Sequence, residues 1–158
     1  MSDFIYFNLN ENDRFTDKVS YASLRFAQEI KAKYPAHQLK RSAPILANLR
    51  MRKETEEIVQ LKEAIAITKK GFERLLGFVK PGVWEYEIEA ELIHEFVRNR
   101  SRGFAFDPII ASGKSACVLH YIENNKQCKD GDLLLLDFGA EYGNYNGDLS
   151  RCIPVNGR

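Results

Sequence analysis

The stretch DGDLLLLDFGAEYGNYNGDLSRCIPV, residues 130–155, decides the fold, because it joins an apolar run to a polar return segment through glycine-rich turns. Four consecutive leucines, Leu133–Leu136, are typical of a strand that is buried on both faces. Asp137 follows them directly, and an ionised carboxylate is costly there unless a partner neutralises it. The stretch therefore predicts an antiparallel strand pair with a carboxylate that needs a positive partner.

A second carboxylate, Asp148, lies on the return segment. If the chain reverses at Tyr142-Gly143, where glycine can take positive φ, Asp148 would lie directly opposite Asp137. Opposed side chains are about 4.5 to 5.5 Å apart at Cβ, so two carboxylates there would repel each other. A hard divalent cation between them would turn this repulsion into binding, which predicts a metal site.

Two other interpretations stay open at this point. Asn146-Gly147 is the stronger two-residue hairpin signal, and a turn there would pair Asp137 with Asn156. Alternatively, Asp137 ends one strand and Asp148 caps the next, without any metal. Spacing alone does not decide between these hypotheses.

Six segments of the chain resemble one known family, the pita-bread metallopeptidases, and within it the aminopeptidase P (Xaa-Pro aminopeptidase) group. They are LRMRKETEEI, FVKPGVWEYEIEAE, FAFDPIIASG, CVLHYIENN, DFGAEY from Asp137, and GDLSRCIPVNG from Gly147. Together they cover about residues 48–158. The chain departs from the family at Ser150, Cys152 and Trp84, where threonine is usual. None of these positions is a metal ligand, so the departures affect only the residues that support the site.

The resemblance implies an α+β fold: the first half of a pita-bread (creatinase/aminopeptidase) catalytic domain, with two helices packed on an antiparallel sheet. Residues 48–158 would form this half, and residues 1–47 would be the C-terminal remnant of an α/β N-terminal domain. The family site places metal on Asp137 and Asp148. The remaining metal ligands, a histidine and two glutamates, belong to the second half, so the chain is expected to be a fragment.

The resemblance also gives His120 a catalytic role, holding substrate and assisting proton transfer. Without it, a histidine that closes the apolar, strand-like run ACVLHY, residues 116–121, is more typical of a hydrogen-bonded core residue. No side chain of this chain is expected to bind an organic cofactor.

The function implied is hydrolysis of the N-terminal Xaa-Pro peptide bond by water that two divalent ions activate, Mn²⁺ or another first-row metal. The substrate is a peptide with proline at the second position. The isolated chain is expected to be inactive. The alternatives are a prolidase-type dipeptidase and a non-catalytic pita-bread domain that binds peptide or protein.

Helices are predicted before the sheet. Apolar residues recur every three or four positions from Glu54 to Val79, and again from Trp84 to Arg100. In the second helix we predict a buried stripe of five residues: Tyr86, Ala90, Ile93, Phe96 and Val97. The four acids at its start, Glu85, Glu87, Glu89 and Glu91, are interpreted as complements of the helix dipole on a solvated face. The first residues predict a strand, Phe4–Leu9, and a helix from about Asp13 to Tyr34.

Composition excludes several classes of protein. The 158 residues carry a formal charge of +1 and no long basic block, so nucleic acid is not expected as a partner. Three cysteines, an odd number without a CxxC pair, predict reduced thiols and a cytoplasmic protein. No apolar run is long enough to span a membrane, and no membrane partner is expected. Homo-oligomer formation by the complete protein is left open.

Overall fold

The structure is a computed structural model, and it describes residues 3–9 and 21–158. The chain divides into two compact units, residues 1–53 and residues 54–158. No helix in these described ranges is long and apolar enough to cross a membrane.

The first unit is a small αβ arrangement. Its elements are β1 (Phe4–Phe7), α1 (Ala22–Lys33), β2 (Gln38–Arg41) and α2 (Ala43–Met51), and β1 pairs with β2 in parallel. The predicted first strand and the described part of the predicted helix are confirmed, whereas residues 13–20 of that helix lie outside the described residues. The predicted domain boundary after Ala47 falls within α2. The assignment of this unit to a larger N-terminal domain stays a prediction.

The second unit contains two helices and two antiparallel sheets. Its elements are α3 (Thr55–Phe78), α4 (Glu85–Arg98), β3 (Gly103–Phe104), β4 (Ile109–Ser112), a 3₁₀ helix (Gly113–Cys117), β5 (Leu133–Phe138), β6 (Ala140–Tyr142), β7 (Tyr145–Asn146) and β8 (Leu149–Pro154). The strand orders are β3-β6-β7 and β4-β5-β8, with antiparallel pairing throughout. This confirms the predicted α+β class, with both helices and the antiparallel sheet.

The core of this unit lies where α3 and α4 meet the sheets, and Phe96 is at its centre. The Phe96 ring is fully buried and lies 5.3 Å from the ring of Phe104 and 6.2 Å from that of Phe138. Gly71 of α3 permits the close approach of α4, because a Cβ there would lie 2.7 Å from Cε1 of Phe96. The two helices are thereby fixed against the buried face of the sheet.

One long hairpin joins the two sheets, since β5 continues into β6 and β7 continues into β8. Its two-residue turn is Gly143-Asn144, with φ of 59° and 67°, as a type I′ turn requires. The predicted turn at Tyr142-Gly143 is therefore wrong by one residue, and the alternative turn at Asn146-Gly147 is also wrong. In the observed register Asp137 pairs with Ser150. The predicted direct opposition of the two aspartates is corrected accordingly.

The leucine strand is buried on one face only. Leu134, Leu136 and Phe138 are fully buried, whereas Leu133 is 58% exposed and Asp137 is half-buried. The prediction of burial on both faces is wrong, because α3 and α4 cover one face of the sheet and nothing in the described part of this unit covers the other in the same way. We call the second face, which carries Leu133, Leu135 and Asp137, the open face.

Candidate metal and catalytic site

Asp137 stands on the open face at the carboxyl end of β5. Its neighbours across the sheet are Ile109 on β4 and Ser150 on β8. The Ser150 hydroxyl donates a hydrogen bond of 2.7 Å to Oδ1 of Asp137. Among residues 3–9 and 21–158 no other group bonds this carboxylate. One hydroxyl donor orients the Asp137 carboxylate and leaves acceptor capacity on both of its oxygens.

Asp148 immediately precedes β8 and is exposed. If the β5–β8 register is continued by one residue beyond the pair Phe138–Leu149, Asp148 lies opposite Gly139, which makes it the diagonal neighbour of Asp137. Diagonal neighbours in an antiparallel pair are about 7 to 8 Å apart at Cα, and less at Cβ. Within the described ranges the Asp148 carboxylate has no hydrogen bond or ion pair. The structure thus brings the two predicted metal ligands to one end of the open face, diagonally and not opposed.

A tight crossing of the two hairpin arms determines where Asp148 lies. A Cβ on Gly139 would come within 1.8 Å of the carbonyl oxygen of Gly147, so the arms touch at backbone level. Gly147 in turn lies against α3, where a Cβ would be 2.3 Å from Oγ1 of Thr68. Glycine is required at both positions because no side chain fits.

Thr68 connects this crossing to α3. Its buried hydroxyl donates to the carbonyl of Ala64 at 2.8 Å and accepts from the backbone N–H of Ala140 at 2.9 Å. The carbonyl of Ala140 accepts from the N–H of Gly147 at 2.9 Å. A continuous set of buried hydrogen bonds therefore links the helix to the segment between the two aspartates.

The hairpin tip is also bound to α3. The Tyr145 hydroxyl donates to Oε1 of Glu57 at 2.5 Å, and this hydrogen bond is the main cause that raises the pKa of the Tyr145 hydroxyl. The same helix thus holds the hairpin at its tip, through Tyr145, and at the crossing, through Gly147, the residue before Asp148.

His120 does not lie in a strand. It follows the 3₁₀ helix in an irregular segment, is exposed, and has a φ of 54°. The predicted strand over residues 116–121 is wrong, because the chain turns at Gly113, whose φ is 57°. The core interpretation of His120 is also wrong. Its apolar neighbour Leu119 is 86% exposed.

Glu85 is a buried acid that the predicted stripe does not reveal. It was assigned to a solvated face, yet it is fully buried, and its carboxylate accepts hydrogen bonds from the Ser112 N–H (2.8 Å), the Tyr121 hydroxyl (2.8 Å) and the Lys126 N–H (2.9 Å). Burial is the main cause that raises the pKa of the Tyr121 hydroxyl, and its hydrogen bond to Glu85 is the next. The hydroxyl therefore stays protonated and donates at neutral pH.

The helical period of α4 indicates that Glu85 faces inward. The residues of α4 that are buried are Glu85, Ile88, Leu92 and Phe96. The predicted stripe shares only Phe96 with this set, and Tyr86, Ile93 and Val97 are 51, 42 and 58% exposed. Counting back by four and then three residues from Phe96 reaches Leu92, Ile88 and Glu85. The other acids do lie nearer the solvent: Glu87 accepts from the Trp84 N–H at 2.7 Å, which caps the helix where the family has threonine.

In the described ranges, no group of three or more His, Cys, Asp or Glu side chains is arranged to hold a metal ion. The three cysteines are free thiols, and burial raises the pKa of the Cys128 thiol. Asp137 and Asp148 are oxygen donors that this chain could offer to a hard divalent ion, but in the described ranges they form an incomplete ligand set.

Comparison with known proteins shows the family of the chain. Residues 59–158 match the model of metallopeptidase family M24. The Xaa-Pro aminopeptidase of Escherichia coli is 42% identical over 115 residues, and the Xaa-Pro dipeptidase of Pyrococcus horikoshii is 31% identical over 130 residues. These alignments cover 73 and 82% of this chain, but only 26 and 37% of the relatives.

A solved structure shows the same fold. Proline aminopeptidase P II from Yersinia pestis superimposes with a TM-score of 0.82 at 35% identity, over 99% of this chain and 36% of that protein. The resemblance to aminopeptidase P is confirmed by sequence and by fold, and the chain spans about a third of the length of the proteins it matches. The chain belongs to metallopeptidase family M24.

Proposed function

We propose that this chain is the aspartate-bearing half of an Xaa-Pro aminopeptidase. The observation that carries the proposal is the diagonal placement of Asp137 and Asp148 at one end of the open face, in the family's own segments. Both carboxylates have free acceptor oxygens within the described ranges, and neither is neutralised by a basic side chain there.

The donor set fits the two divalent ions that the family implies. Carboxylate oxygens are the ligands that hard divalent ions such as Mn²⁺ prefer, and neighbouring carboxylates can share two ions about 3.5 to 4 Å apart. Ser150 would keep the Asp137 carboxylate in one orientation. When bound, the ions polarise the scissile carbonyl and make water a nucleophile at neutral pH. Completion of the site requires ligands beyond these two aspartates, and no third His, Cys, Asp or Glu of the described residues joins them.

His120 would contact the peptide substrate and move a proton. Its exposure leaves the imidazole accessible, and the residues around it in the turn are apolar. Val118, Leu119 and Ile122 are 54, 86 and 70% exposed. A surface that is covered by substrate or by the rest of the enzyme would carry such exposed apolar side chains beside the histidine.

A dipeptidase is the second candidate, because the P. horikoshii Xaa-Pro dipeptidase matches 82% of the chain. A non-catalytic domain is disfavoured because both aspartates are retained. We propose a cytoplasmic enzyme, in agreement with its three free thiols.

The proposal can be tested in a chimera in which residues 48–158 replace the matching segment of the E. coli Xaa-Pro aminopeptidase. We expect Mn²⁺-dependent hydrolysis of an Xaa-Pro tripeptide, and its loss in the Asp148→Asn chimera. The isolated chain should show no turnover and only weak Mn²⁺ binding in calorimetry, because affinity follows the number and charge of the ligands. A folded chimera that is inactive, or that hydrolyses only Xaa-Pro dipeptides, would contradict the aminopeptidase assignment.

A further inference from the structure

Glu85 is a buried acid that neither the metal site nor the catalytic proposal uses. It is the first residue of α4, and its side chain is fully buried. No Lys, Arg or His of the described ranges pairs with it. A buried carboxylate without a counter-charge is retained only when hydrogen bonds replace its lost hydration.

Three donors supply that replacement, two from the ends of one segment and one from inside it. The N–H of Ser112 stands where the segment begins, and the N–H of Lys126 stands where it ends. The backbone N–H of Glu85 also donates to the carbonyl of Lys126 at 3.0 Å. The carboxylate therefore closes residues 112–126 into a loop around itself, and we call this stretch the His120 loop.

The third donor is the hydroxyl of Tyr121, the residue that directly follows His120. Tyr121 is 5% exposed, whereas His120 beside it is exposed and has a φ of 54°. Histidine adopts positive φ only where its surroundings determine the backbone. A buried tyrosine fixed to Glu85 is such a determinant, since it prevents the adjoining peptide from rotating.

We infer that Glu85 is a positioning residue for His120, acting through Tyr121 and through the closure of the His120 loop. The inference deepens the proposed function and rests on it for the role of His120. Catalysis by a positioned histidine depends on its geometry, and a displacement of about 1 Å can lower a rate by about a hundredfold.

Two variants and one control separate positioning from general stability. Glu85→Gln keeps the shape but turns one acceptor oxygen into a donor, so three donors can no longer all be accepted. Tyr121→Phe removes only the hydroxyl that donates to Glu85. Glu87→Gln is the matched control, because it removes a charge from the same helical turn, and the Glu87 carboxylate accepts from the Trp84 N–H and not from a donor of the His120 loop.

The first readout is NMR of the 158-residue chain. The imidazole signals of His120, assigned with His120→Ala, should shift or broaden in Glu85→Gln and in Tyr121→Phe, and should be unchanged in Glu87→Gln. The Lys126 amide should exchange with solvent on the order of tenfold faster or more in Glu85→Gln. If Glu85→Gln does not fold, Tyr121→Phe decides: unchanged His120 signals in that variant would overturn the inference.

The second readout is activity in the chimera. Tyr121→Phe should lower kcat by about tenfold or more with a smaller change in KM, whereas the control should retain both values. Displaced His120 signals together with unchanged kcat would support the positioning and would contradict the catalytic role of His120 in the proposed function. Inactivity of the parent chimera would contradict the proposed function instead, and the NMR result would still decide whether Glu85 orders the His120 loop.

Discussion

The two faces of β5 differ in what they do for the protein. The face towards α3 and α4 carries Leu134, Leu136 and Phe138, all fully buried. The open face carries Leu133, half-buried Leu135 and Asp137, and ends beside exposed Asp148. One strand thus presents its packing residues to the helices and its candidate chemical residues to the other side. Stability and chemistry should accordingly be separable by substitution.

Phe138→Ala should have the largest effect on stability. Its ring is fully buried against Phe96, and truncation of a buried phenylalanine destabilises proteins by about 3 to 5 kcal/mol. Urea denaturation of the chain measures this as a fall in midpoint. Leu133→Ala on the open face is the control and should lower stability by less than about 1 kcal/mol, because the side chain is 58% exposed. Equal losses would remove the distinction between the two faces.

Thr68→Val tests the link between the helix and the segment that separates the aspartates. The variant keeps the side-chain shape but leaves the N–H of Ala140 buried without its acceptor, so we expect a loss of about 1 to 3 kcal/mol. Thr68→Ser retains the hydroxyl and should lose less, because only a methyl group is removed. The same urea titration applies to both. If the serine variant is the less stable one, methyl packing and not hydrogen bonding makes Thr68 important.

Much of this fold could be predicted from the sequence, for identifiable reasons. The 3.6-residue period gives α3 and α4, and the leucine run gives β5. The register could not be obtained in the same way. It depends on Gly143-Asn144 both adopting positive φ, and on Gly139 and Gly147 approaching each other at backbone level. The first is a local backbone conformation that competing turn signals in the sequence do not decide, and the second is a contact between two arms that the sequence does not reveal.

The candidate site, like the fold, could be predicted only in part from the sequence. Asp137, Asp148 and His120 follow from the resemblance, and the structure puts both aspartates on one face. Their direct opposition was wrong, and His120 lies in a loop where a strand was expected. Glu85 was missed because acids at a helix start are usually exposed, and only the positions of Ile88, Leu92 and Phe96 reveal that it faces inward. A buried polar residue is recognised by its partners, which are distant in sequence.

The smallest effect on stability is expected at Asp148, and it tests the central claim most directly. If Asp148 is present for metal, the metal-free chain gains little from its charge, since the carboxylate is exposed and repels Asp137 only diagonally. Asp148→Asn should therefore leave the urea midpoint in EDTA unchanged or raise it slightly, within about 0.5 kcal/mol at constant slope. A loss of more than about 1 kcal/mol would contradict the account, because it would make Asp148 a structural cap and not a ligand.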